Sequence, residues 1–122
     1  MRIFAILQSA IEYYEGGKAM KAEEIFEALC QCRDPDVKGG KAPIQLKQEG
    51  VKVTDIDDNG SDVISHTKYE GEDGGTVEEV ITSYDHSRTF ELRPDSNHFD
   101  ITLYDKAGNT IRKSHYMRMD TM

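Results

Sequence analysis

From Val51 onward the apolar residues recur with a period of two, and the segments carrying this pattern are joined by connections too short for anything but tight turns. Val51 to Ile56, Val63 to Tyr69, Val77 to Tyr84, Arg88 to Leu92, Phe99 to Tyr104 and Thr110 to Met117 are rich in Val, Ile, Thr, Tyr and Phe and read as strands. Between them stand Asp58-Asn59-Gly60, Glu72-Asp73-Gly74-Gly75, Pro94-Asp95-Ser96 and Asp105-Lys106-Ala107-Gly108-Asn109. A parallel crossover needs about a dozen residues or more, so successive strands must run antiparallel. The expectation is a meander of five or six strands.

The preceding residues have a different period. Ile3, Leu7, Ala10 and Tyr14, with Ile6 and Ile11 beside them, follow helical spacing, and Gly16-Gly17 supplies a stop. A second helix is predicted from about Ala19 to Gln31, with Ile25, Phe26 and Leu29 inward, ending where Asp34 precedes Pro35. From Asp34 to Gly50 the punctuation Asp-Pro-Asp, Gly39-Gly40 and Ala42-Pro43 reads as a loop in which Val37, Ile44 and Leu46 are too sparse for an element. The predicted fold is α+β: an N-terminal helical hairpin packed on one face of a five- or six-stranded antiparallel meander. A chain of 122 residues fits a single domain, 1–122, with 1–33 helical, 34–50 loop and 51–119 sheet.

The last hairpin can be read to the level of register. A three-residue loop with Gly108 in the left-handed conformation sets Asp105 opposite Asn109, Leu103 opposite Ile111 and Phe99 opposite His115. One face is then Phe99, Ile101, Leu103, Ile111, Lys113 and His115, which should meet the helices. The other is Asp100, Thr102, Tyr104, Arg112, Ser114, Tyr116 and Arg118, a polar stripe for solvent or a partner. Lys113 is then awkward on the inner side and must snorkel.

Charge is distributed unevenly. The net charge is −8; residues 51–85 carry 2 basic and 10 acidic side chains, so this middle segment alone accounts for −8. Such a field repels nucleic acid and anionic membranes and favours basic partners. Cys30 and Cys32, the only cysteines, make no disulfide framework. No stretch reaches the roughly 18 apolar residues of a membrane span. The apolar run Ile3 to Leu7 is followed by Glu12 and Glu15 without a signal-peptide cleavage site. A reducing cytoplasm is the expected location.

Motifs for chemistry fall short one by one. Asp55-Ile-Asp57-Asp58-Asn59-Gly60 opens like a calcium loop, but Asp62 stands where a hydrophobe belongs and His66 where a bidentate Glu is needed. Cys30-Gln-Cys32 has no second cysteine pair to complete a zinc site. His66, His86, His98 and His115 lack metal-ligand spacing, although three can meet across a sheet. His98-Phe-Asp100 puts an imidazole and a carboxylate on one strand face, the arrangement that orients a general base, or simply an exposed contact. Arg112, Lys113, His115 and Arg118 around Tyr116 form the one basic cluster, too small to argue for direct nucleic-acid binding against a cross-strand pair of Arg112 with Asp100. No catalytic residue, metal site or cofactor is assigned.

The expected function is therefore that of a non-enzymatic acidic protein that neutralises a basic protein partner, such as a nuclease or toxin, as inhibitors, immunity proteins and counter-defence proteins do as a class. Its partner-binding residues would be Asp55, Asp57, Asp58, Asp62, Glu70, Glu72, Asp73, Glu78 and Glu79. The alternative is a small-ligand-binding module, or a homodimer, using the face of Tyr104, Arg112, Tyr116 and Arg118, because Tyr and Arg are enriched in interface anchors.

Overall fold

The computed structural model describes residues 20–58, 60, 62–85 and 92–119. In chain order these hold α1 (Ala22–Arg33), α2 (Pro43–Gln48), β1 (Lys52–Asp55), β2 (Val63–Glu70), β3 (Thr76–Tyr84), β4 (Ser96–Tyr104) and β5 (Thr110–Met119). The strands form one antiparallel sheet in the order β1-β2-β3-β4-β5, the meander that the short turns require. The first expected helix, and with it the helical hairpin, lies outside the described residues, as does the segment 88–91 of the expected sixth strand. No helix among the described residues is long and apolar enough to cross a membrane.

Helix α1 starts where Glu24 reaches back to accept a hydrogen bond from the Lys21 N–H at 3.1 Å, and acidic Glu23 and Glu24 suit the positive end of the helix dipole. It ends at Asp34, whose extended ψ of 117° is what a following proline imposes. Ile25, Phe26 and Leu29 are at most 1% exposed and pack with Tyr69, Val77, Ile101 and Leu103 from the sheet. Each such side chain contributes roughly 1.5–3 kcal/mol by leaving water. This burial fixes α1 across the centre of the sheet.

Residues 34–50 are not simply a loop. Pro43 begins α2 at a position where its missing N–H costs nothing, and the Gln45 side chain accepts from the Ala42 N–H at 2.8 Å. The helix is one and a half turns long, too short for a visible period, yet it places Leu46 fully in the core. Gly40 (φ +76°) lets the segment return along α1, since a Cβ there would lie 2.3 Å from the Cys32 nitrogen.

The register of the last hairpin is shifted from expectation by one residue. Asp105 does face Asn109, their N–H···O=C bond measuring 2.9 Å, but Leu103 pairs with Arg112 and Phe99 with Tyr116. The irregularity falls between Leu103 and Tyr104, where Tyr104 pairs with Thr110 and Ile111 is the extra residue of a bulge. With a side-chain period of two, that slip exchanges the faces of the whole of β5. Arg112, Ser114, Tyr116 and Arg118 therefore lie on the α1 side with Phe99, Ile101 and Leu103, while Lys113, His115 and Met117 lie on the opposite, outer side with Asp100 and His98. Lys113 needs no snorkelling.

Candidate functional site

The nine expected partner-binding carboxylates do not form one surface. Asp57, Asp58 and Asp62 lie around the β1–β2 turn, while Glu72 and Asp73 lie in the β2–β3 turn at the other end of the sheet. Glu79 points to the α1 side, is 1% exposed, and accepts two hydrogen bonds from Arg33, Nε–Oε2 2.8 Å and Nη2–Oε1 2.9 Å. It is a core residue with its charge satisfied internally, which removes it from any partner surface. Burial works against the Arg33 charge, but the hydrogen bonds and charge of Glu79 outweigh it and hold the guanidinium more firmly protonated than usual.

Four more carboxylates have partners within the chain. Asp73 accepts from the Ala22 N–H at 3.2 Å and the Gly75 N–H at 3.3 Å, tying the β2–β3 turn to the start of α1. Glu70 pairs with Lys52 at 3.2 Å. Glu78 accepts from His66 Nε2 at 2.7 Å, and Asp58 lies 3.4 Å from His66 Nδ1. Asp58 also accepts from the Gly60 N–H at 3.0 Å, the local turn bond that the Asp-Asn-Gly sequence favours. At the β1–β2 end Asp55, Asp57, Asp58 and Asp62 are all exposed and within eight residues of one another, while Glu72 is exposed at the opposite end. Asp55, Asp57 and Asp58 make no ion pair with a described lysine or arginine.

The alternative face is also divided. Tyr104 is on the outer side, whereas Arg112, Tyr116 and Arg118 lean on α1. The Arg112 guanidinium sits 5.2 Å from the Phe26 ring centroid, with Glu23 and Glu27 each 3.9 Å away, so its expected cross-strand pair with Asp100 does not exist. Arg118 donates to the Cys32 carbonyl at 3.4 Å. Tyr116 packs against the core beside Cys30. Burial pushes the Cys30 thiol above its ordinary range, against the lowering effect of hydrogen bonds from Ser114 and Tyr116, so it is an inert small hydrophobe.

The outer side of β4 and β5 carries a connected polar chain. Ser96, His98 and Asp100 alternate along β4 and share this side, and the corrected register sets His115 opposite Asp100. His115 Nδ1 is 2.7 Å from Asp100 Oδ1, His115 Nε2 is 3.2 Å from His98 Nδ1, and His98 Nε2 is 3.1 Å from Ser96 Oγ. An ionised carboxylate only accepts, so His115 Nδ1–H donates to Asp100. For neutral rings the rest follows: His98 Nδ1–H donates to His115 Nε2, and Ser96 Oγ–H donates to His98 Nε2. Tyr84 meets the His98 ring edge-on at 6.4 Å between centroids. A hollow of about 310 Å³ opens beside the two imidazoles, lined also by Asp62, Thr82 and Ser83.

The sequence spacing puts His98 and Asp100 on one face, whereas the expected register puts His115 on the other side of the sheet and leaves Ser96 in a turn. The spacing Ser96-x-His98-x-Asp100 was the available signal, because it aligns all three once β4 is extended to Ser96. The constellation is not that of a serine hydrolase: Ser96 is 0% exposed and offers no approach to a substrate carbonyl. His66, by contrast, stands apart with Glu78 on β2 and β3, and His86 is outside the described residues. No group of three or more His, Cys, Asp or Glu residues suited to a metal occurs among the described residues. No protein-family model, curated protein or solved structure matches the chain.

Proposed function

We propose that this protein is a non-enzymatic binding protein that engages the basic surface of a protein partner, in the manner of an inhibitor, immunity or counter-defence protein. Its contact region is the β1–β2 end of the sheet. The observation that carries the reading is the group Asp55, Asp57, Asp58 and Asp62, exposed together at one end of a chain of net charge −8. Carboxylates grouped in this way focus a negative potential that accelerates encounter with a basic cleft, such as that of a nuclease or toxin. The buried position of Ser96 and the inert setting of Cys30 favour binding over nucleophilic catalysis.

The test is capture of partners from the native host, repeated at low and high salt, with wild type and with Asp55, Asp57, Asp58 and Asp62 all changed to Asn. The expected result is a partner with a basic face whose association slows by about tenfold or more in the variant and whose salt dependence flattens. Glu72→Gln, at the far end, should change neither. Equal association rates for the wild type and the fourfold variant remove the proposal.

A further inference from the structure

The facing imidazoles of His98 and His115 have the layout of two metal ligands, and this holds whether or not the acidic end binds a partner. In metal sites a ligating histidine almost always donates its other ring N–H to an oxygen acceptor, which fixes the ring and its tautomer. His115 meets that condition as it stands, and His98 meets it once its proton moves to Nε2, within reach of Ser96 Oγ. His115 is held at Nδ1 by Asp100 at 2.7 Å, leaving Nε2 directed inward. His98 is held at Nε2 by the fully buried Ser96 Oγ at 3.1 Å, leaving Nδ1 directed toward the same point. The two inward nitrogens are 3.2 Å apart. Two imidazoles bound at about 2.0–2.1 Å to one tetrahedral ion stand about 3.3 Å apart, so the rings need only tilt to aim their lone pairs at a shared ion.

We propose that His98 Nδ1 and His115 Nε2 together bind a single divalent transition ion of the zinc, copper or nickel class. The nitrogen donors select this class over calcium and magnesium, which take oxygen ligands. Binding shifts the His98 proton from Nδ1 to Nε2, where it donates to Ser96 Oγ, so His98 stays neutral and no net proton is lost. Asp100 is a positioning residue that keeps the His115 proton on Nδ1. Two protein ligands leave the remaining coordination positions open toward the hollow beside Tyr84, where water or a small anionic or imidazole-type ligand completes the sphere. His115 and Asp100 are half exposed, so the ion has a direct path from solvent.

The experiment is titration of the full chain with zinc chloride, followed by calorimetry, with circular dichroism confirming that each variant is folded. One ion per chain is expected. His98→Ala and His115→Ala should each weaken binding at least tenfold, and Asp100→Asn should do so by roughly 10–100-fold. His66→Ala, on the other strands, should leave affinity unchanged. Long-range nitrogen–proton NMR should show the His98 proton moving from Nδ1 to Nε2 as zinc is added. Three outcomes overturn the proposal: no zinc uptake by wild type at a tenfold excess over 100 µM protein (about 1 mM), unchanged affinity in both histidine variants, or loss of binding in His66→Ala instead.

Discussion

Glu78 and Glu79 are neighbours in β3, and their contrast is that of the two sides of the sheet. Glu79 faces α1, is buried, and is locked to Arg33 by two hydrogen bonds. Glu78 faces the outer side, where it accepts from His66 and its side chain remains 27% exposed. The inner side spends its polar groups on holding one helix in place, with Arg33 over the Phe99 ring at 4.6 Å and Arg112 over Phe26. The outer side keeps titratable groups within reach of solvent. The same residue type is thus sealed into the core on one side and left in contact with water on the other, and the difference is burial, which makes an unpaired charge far more costly.

Substitutions that separate the two sides can break this contrast. Glu79→Ala leaves Arg33 without its partner and should destabilise the fold by about 3 kcal/mol in urea unfolding, with much of the loss recovered in Arg33→Met/Glu79→Leu. A cost below about 1 kcal/mol would mean that Arg33 escapes to water and that the inner side is wetter than its burial implies.

Tyr69 sharpens the inner side from the opposite direction. Its hydroxyl is buried with no hydrogen-bond partner among the described residues, and burial, with Glu79 next in effect, pushes its titration well above the ordinary tyrosine range. Tyr69→Phe removes the unsatisfied group and should stabilise by about 1 kcal/mol, read as a higher urea midpoint at unchanged slope. Destabilisation would show that the hydroxyl is solvated after all. On the outer side, Glu78→Gln should cost less than about 1 kcal/mol, as partly exposed pairs do. If it costs as much as Glu79→Ala, the two sides do not differ in the way described.

The smallest effect is a pH dependence from Cys30. Its folded pKa lies above the ordinary value of 9.0, so its contribution to stability is complete below that value and is lost as pH rises through the folded pKa. Wild type should therefore lose slightly more stability than Cys30→Ala between pH 8 and pH 10.5 (about the span of ordinary thiol titration). Parallel loss in both would assign the alkaline limb to other groups.

Local pattern was enough for the five described strands, their antiparallel order, the stop of α1 at Asp34-Pro35 and the inward set Ile25, Phe26 and Leu29. These follow from backbone sterics and from periods of two and 3.6, which are properties of neighbouring residues. The same pattern could not reveal α2, because a helix of six residues has no period to detect.

It could not settle the β4–β5 register either. Both sides of β5 mix charge with larger side chains, Arg112, Ser114, Tyr116 and Arg118 against Lys113, His115, Met117 and Met119. Neither is decisively apolar, so the alternation that normally pins a strand is silent there. The single extra residue at Ile111 then decides which side α1 covers.

What the chain by itself determined, then, was a negatively charged antiparallel meander with a helix to cover it. Only the tertiary structure decided which carboxylates meet solvent, that Glu79 would be closed off by Arg33, and that His98 and His115 would face one another. The reason is physical: composition specifies how many charges there are, but whether a charge is exposed, paired or buried depends on contacts between residues 15 to 50 positions apart (Asp100 with His115, Arg33 with Glu79), which only packing brings together.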